Sequence, residues 1–165
     1  MKDRRSGFTL LELLLIVAIV AILAAVVIAI LFPSLQKTRD ARRKAEISEI
    51  GKLLTAGCYV PDAGAGEYDL LIVLGELQNK YPQYQQWFSQ VPRDPKSGTE
   101  SESFYRYSVS TTTGRKCAVY ANLENENEKV TLQHLSAPTP GGGTGVFEAT
   151  STGWNGSGKY FQFSN

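Results

Sequence analysis

Apolar side chains run unbroken from Leu13 to Phe32, and the run reaches back to Phe8 with only Thr9 and Glu12 as polar members. As a helix rising about 1.5 Å per residue, Phe8 to Phe32 spans roughly 37 Å, enough to cross a hydrocarbon core of about 30 Å with some tilt. Pro33 then removes a backbone donor and frees the carbonyl of Ala29, so a kink or local melting is expected where the apolar run ends. Beyond it the pattern changes. Ser34 to Leu54 is rich in helix formers, and Ile47, Ile50 and Leu54 fall at i, i+3 and i+7, with Leu53 beside them, marking a face that packs on something. Gly57 is the expected C′ stop. The pattern predicts one long helix from residue 8 to about 57.

The remaining polar and apolar positions predict a small mixed head, residues 58–165. Glu67 to Lys80 is apolar on one face and reads as a second helix, ended before Pro82. Tyr84 to Gln90 adds a turn with Trp87 and Phe88 packed inward, and Val91 to Gly98 is a turn cluster. Phe104 to Ser110 and Lys116 to Leu123 read as a hairpin across Thr111–Arg115, with Val130 to Leu135 as a third strand. Glu124 to Glu128 reads as a solvated turn. Pro138 to Gly158, rich in Gly, Thr and Ser, reads as a surface loop, and Lys159 to Phe163 as a strand returning to the sheet. Phe147 and Trp154 in that loop are assigned to core packing or a lid, with lateral contacts as the alternative.

Composition sharpens this picture in one respect. The formal net charge is +1, which singles out no class of partner, but the aliphatic residues are concentrated in the N-terminal run. The head that remains supports one modest core, which gains from an anchor, a cross-link or neighbours. Lys37, Arg39, Arg42, Arg43 and Lys44 accompany only Asp40 just past the apolar run. Two readings stay open for this basic segment: a solvated helix face pairing with Glu46, Glu49 or acids on adjacent subunits, or a surface for nucleic acid or anionic lipid. Cys58 and Cys117 are the only cysteines and neither sits in a metal or nucleophile signature. A disulfide between them would close a loop of about 60 residues and stabilise by roughly 4 kcal/mol; two buried free thiols are the alternative. No catalytic constellation surrounds His134 or any other residue, no cofactor or metal site is expected, and the chain reads as structural rather than enzymatic.

Charge placement decides how the apolar run is read. A secretory signal has an apolar region of about 7 to 15 residues followed by a polar mature start, and this run is longer and continues into more helix. An ordinary anchor gives no reason for Glu12, because a carboxylate inside a membrane segment is costly and marks function by default. The order Ser6-Gly7-Phe8-Thr9-Leu10-Leu11-Glu12, behind the basic leader Lys2, Arg4 and Arg5, resembles the class III signal shared by type IV pilins and type II secretion pseudopilins.

That resemblance implies a cleaved leader at residues 1–7, a membrane aspartyl prepilin peptidase cutting between Gly7 and Phe8, and N-methylation of Phe8. Loss of Lys2, Arg4 and Arg5 together with Asp3 takes the formal charge from +1 to −1. The new amine at Phe8 lies one helical turn from Glu12, so the two can neutralise one another within a chain or between neighbours. Ala21, Ala25 and Ala29 form a small-xxx-small stripe for close helix approach, or are simply apolar filler. The implied fold class is α+β, a long N-terminal helix whose first half, 8–32, spans the membrane and whose second half packs on an antiparallel sheet. The implied partners are further copies of the chain in a helical homopolymer, the peptidase, the membrane, and an assembly platform driven by a cytoplasmic ATPase. DNA is a weaker expectation. Val91-Pro92-Arg93-Asp94-Pro95 resembles a loop that introduces the sheet in major pseudopilins, with no calcium site carried over. The implied function is a pilus subunit for adhesion, motility or DNA uptake. Alternatives are a pseudopilin of a secretion or competence machine, and a membrane-tethered binding module that does not polymerise.

Overall fold

The computed structural model describes residues 8–83, 91–112 and 114–165. The turn expected at Tyr84–Gln90 lies outside them. The chain forms two compact units that divide between Leu35 and Gln36. Helix α1, Leu10–Thr55, begins in the first and ends in the second. In the first unit every described residue, Phe8 to Leu35, is exposed. Residues on both sides of Pro33 are α-helical, so the expected melting is absent. One missing backbone bond does not interrupt a 46-residue helix whose neighbouring turns are intact.

In the second unit the end of α1 packs on a five-stranded antiparallel sheet, giving an α+β fold. Its strands are β1 (Gly66–Asp69), β2 (Arg106–Ser110), β3 (Lys116–Asn122), β4 (Gly145–Glu148) and β5 (Lys159–Ser164), in the order β1-β2-β3-β5-β4. Helix α2, Leu70–Lys80, follows β1 directly. The alternation of side chains along each strand splits the core in two. Tyr107 and Val109 of β2, Cys117, Val119 and Ala121 of β3, and Phe161 and Phe163 of β5 pack with Ile47, Ile50 and Leu54 of α1 and with Leu70, Val73 and Leu74 of α2. On the opposite face Tyr120, Phe147 and Tyr160 are covered by Leu132, Leu135, Ala149 and Trp154. Phe147 and Trp154 therefore belong to a second core.

Several elements depart from the sequence reading, each for a local reason. Gly66–Asp69 is a strand because the Asp69 carboxylate gathers donors that set the helix start at Leu70. It caps the Leu71 N–H at 2.9 Å and also takes the N–H and hydroxyl of Ser103 and the N–H of Phe104. Wrapping those two amides around one carboxylate puts Phe104 at φ 59°, in the left-handed region. Val130–Leu135 is a turn whose Thr131 and Leu132 amides both donate to the Val146 carbonyl, so it covers an edge strand without extending the sheet. That edge strand, β4, lies inside the expected loop. Its four residues are too few for the alternation to stand out among glycines. The left-handed residue that closes α1 is Cys58, at φ 42°, in place of Gly57. Leu53 faces outward at 43% exposure instead of supporting the packed stripe.

Two close fastenings hold α1 to the sheet. Cys58 and Cys117 form a disulfide at the helix end. The terminal Asn165 side chain accepts the Cys117 N–H at 3.0 Å and approaches the Cys58 sulfur at 3.1 Å. Lower on the helix, Gly51 lets the Phe163 ring approach so closely that a Cβ there would lie 2.6 Å from it. Gly51→Ala is therefore expected to destabilise the head by about 1–2 kcal/mol, overpacking outweighing the roughly 1 kcal/mol gained in helix propensity. Thermal melts of the two proteins would decide; an unchanged or raised midpoint would mean that β5 yields freely.

Candidate assembly site and the charged clasp on the head

The first turn of α1 is closed by its only two polar residues. The Glu12 Oε2 accepts the Thr9 backbone N–H at 2.9 Å and the Thr9 hydroxyl at 2.8 Å, while the Glu12 N–H donates back to the Thr9 hydroxyl oxygen at 3.3 Å. This is a reciprocal capping box, T-x-x-E, with Thr9 as N-cap and Glu12 at N3. Its signature is written in the sequence, but a reading of Glu12 as an isolated charge in an apolar run passes over it. The cap settles two orphan donors and orients the carboxylate. Oε1 takes no hydrogen bond among the described residues.

Beyond this turn α1 presents leucine, isoleucine, valine and alanine on all sides to Phe32. The segment is long and apolar enough to cross a membrane by length and composition, and none of it is buried within the chain. So large an apolar surface requires lipid or other protein to cover it. Ala21, Ala25 and Ala29 are exposed with the rest. Phe8 is exposed, and Gly7 lies outside the described residues.

The basic segment does something the sequence reading did not anticipate. Arg43 is fully buried. Its Nε and Nη2 form a fork on the two oxygens of Asp94, both at 2.8 Å, and its Nη1 reaches Asp40 and Glu124, both at 2.7 Å. Arg39 makes a second fork on Glu124 at 2.7 and 2.6 Å. Asp40 also accepts the Glu124 and Asn125 amides, each at 2.9 Å. Asp94 takes the Lys96 and Ser97 amides at 2.9 Å and the Asn155 side-chain amide at 2.6 Å. Asn155 is tied in turn to Asn122 through its N–H at 2.6 Å, and Lys96 lies 3.9 Å from Glu124. One turn of α1 thus binds two separate connections of the head, near residues 94 and 124–125, and through Asp94 reaches a third at Asn155.

Burial would raise the Asp94 and Glu124 carboxyls, but the guanidinium forks and the amides around them prevail and hold both below the ordinary carboxylate value. The same ions hold Arg43 charged at every accessible pH, against a large desolvation cost. Arg42 pairs with Glu46 at 2.8 Å, and Lys44 with Glu128. Of the five cations in this segment only Lys37 makes no ion pair among the described residues. The solvated turn expected at Glu124–Glu128 is corrected at Glu124, which is buried, and the carboxylate of the Pro-x-Asp-Pro turn is a partner of Arg43. Among the described residues no group of three His, Cys, Asp or Glu side chains is placed to hold a metal ion.

One comparison with known proteins succeeds. A family described as the prokaryotic N-terminal methylation motif matches residues 2–31, the stretch that holds Gly7, Phe8 and the Thr9–Glu12 box. No curated protein and no solved structure matches the chain.

Proposed function

Because the chain carries the class III methylation signal of type IV pilins and pseudopilins, we propose that it is a prepilin, the precursor of a subunit of an extracellular type IV pilus. The prepilin peptidase cuts between Gly7 and Phe8 and methylates the Phe8 amine. The subunit waits in the cytoplasmic membrane, held by residues 8–32, until an ATP-driven platform moves it into the filament. Lipid contacts are then exchanged for helix contacts with other copies, and Glu12 pairs with the Phe8 amine of a neighbour.

The observation that carries this reading is the conjunction at one helix end of the methylation motif, the capped Glu12 and an apolar surface that the chain itself leaves wholly uncovered. Cap and charge cooperate in the mechanism. Thr9 fixes Oε2, and the remaining oxygen is the acceptor for an amine arriving from another subunit. A buried carboxylate and a buried ammonium are each unfavourable alone, so their pairing makes assembly and register one event. The filament serves adhesion, motility or DNA uptake.

N-terminal sequencing of the mature protein tests the route, with methyl-Phe8 expected at the first position. An intact Met1, or a cut beyond Phe32, would remove its foundation. Gly7 substitutions such as Gly7→Val are expected to accumulate uncleaved precursor, read by gel mobility. Electron microscopy of the assembled product separates the two filament classes: long surface fibres are expected, and short rods confined to the envelope would move the chain to the pseudopilins.

A further inference from the structure

The network around Arg43 joins one turn of α1 to the Asp94 turn and to the connection that follows β3. Asp40 and Arg43 are the first fully buried positions on α1, and up to Ile47 the helix meets the head there through charged groups. From Ile47 onward the contact is apolar, and it ends in the Cys58–Cys117 bond. The two ends of the packed helix are therefore fastened by chemically different means. One is covalent and indifferent to pH. The other holds only while its carboxylates are ionised.

We propose that the Arg43 network is an acid-released clasp, which frees the 39–43 turn of α1 from the head at low pH while the apolar core and the disulfide keep the rest of the helix on the sheet. The groups that face one another are Arg39, Asp40 and Arg43 on α1, Asp94 and Lys96 on the turn before the sheet, and Glu124 after β3. At its margin are Glu46 on α1, the Tyr105 hydroxyl that donates to it at 2.5 Å, and the Lys44–Glu128 pair. Two cations withdrawn from solvent, Arg43 fully and Arg39 in part, with the exposed Lys96 3.9 Å from Glu124, stand against three carboxylates. Protonating one carboxylate leaves a positive excess in a buried site and withdraws acceptors from the arginine forks, so release of the first weakens the hold on the others.

The sign follows from the depressed carboxyls. Asp94 and Glu124 lie below the ordinary values of about 3.9 and 4.3 in the folded head, so their contribution is complete above those values and is lost as pH falls through the lower, folded ones. The clasp is closed at neutral pH and opens only as pH falls below the ordinary carboxylate range. Its opening precedes loss of the sheet, whose central pairs β2–β3 and β3–β5 contain none of these carboxylates.

The test is an acid titration of the full chain in detergent micelles, followed by amide NMR. The Lys96, Ser97, Glu124 and Asn125 amides, which donate to Asp94 and Asp40, report the clasp; the Val119 and Phe163 amides report the sheet. The clasp amides are expected to move with a midpoint above that at which the sheet amides are lost. In Arg43→Lys, which keeps the charge and loses the fork, that midpoint is expected to rise by about 1 pH unit while the sheet midpoint moves less. A single shared midpoint in the unmodified chain would overturn the proposal. So would a clasp midpoint that Arg43→Lys leaves in place.

Discussion

Glu12→Ala is expected to leave processed subunits in the membrane and to abolish filaments. The proposed partner of Glu12 is an amine that exists only after the Gly7–Phe8 bond is cut, so processing should proceed normally. Alanine removes the charge that makes the helix uncomfortable in lipid and leaves the Phe8 amine unpaired in a filament, so both changes oppose polymerisation. A charge-assisted hydrogen bond contributes about 1.5–3 kcal/mol, which corresponds to an addition constant about ten- to a hundredfold weaker for each subunit. Alanine also destroys the capping box with Thr9, and Glu12→Gln separates the two effects. Glutamine can still accept the Thr9 N–H and hydroxyl but carries no charge, and it too is expected to fail. The measurement is sheared filament yield set against processed subunit for both variants. Normal filament yield from the glutamine form would sink the pairing mechanism and leave Glu12 as a helix cap.

The second large effect is expected at Arg43. Arg43→Met removes the cation and leaves Asp94, Asp40 and Glu124 converging on an apolar side chain with Arg39 as the nearest remaining counter-ion. Breaking a buried ion pair from one side costs about 3–5 kcal/mol, a large share of the 5–15 kcal/mol that holds a typical domain folded. Chemical denaturation followed by circular dichroism should show the loss. Combining Arg43→Met with Asp94→Asn should cost less than the sum of the two single changes, because each removes the reason for the other. Strict additivity would mean that the two groups are not coupled, and a loss below about 1 kcal/mol would place Arg43 among ordinary surface ion pairs.

The parts of this molecule that the sequence disclosed are those written in one kind of signal. The apolar run and the β2–β3 hairpin follow from local order, and the methylation motif coincides with the first of them; the T-x-x-E turn is equally local but escapes a reading that weighs Glu12 as a charge and not as a cap. The clasp was hidden because it uses charged residues at core positions. Asp40 and Arg43 continue the buried stripe of Ile47, Gly51 and Leu54, but a hydrophobic pattern search assigns arginine and aspartate to solvent. Their partners on the head lie 51 to 85 residues away, beyond anything that spacing along the chain can indicate. Strand β4 was missed for a different reason: its four residues sit among glycines, and its pairing with β5 is what makes it a strand.

The position of β5 governs the order in which the head can be built. It lies between β3 and β4, pairing with both, although it comes after them in the chain. Until residues 159–164 arrive, β3 and β4 each have an unfilled edge, and the face that carries Tyr120 and Phe147 lacks Tyr160. A chain delivered from its N-terminus therefore has its helix and the β2–β3 hairpin in place long before the sheet can close. During that interval two open edges are available to any neighbouring strand. Under the proposed function, a chain tethered in the membrane by its first helix would meet neighbours only within that plane, where a late-closing sheet is safest when subunits arrive one at a time.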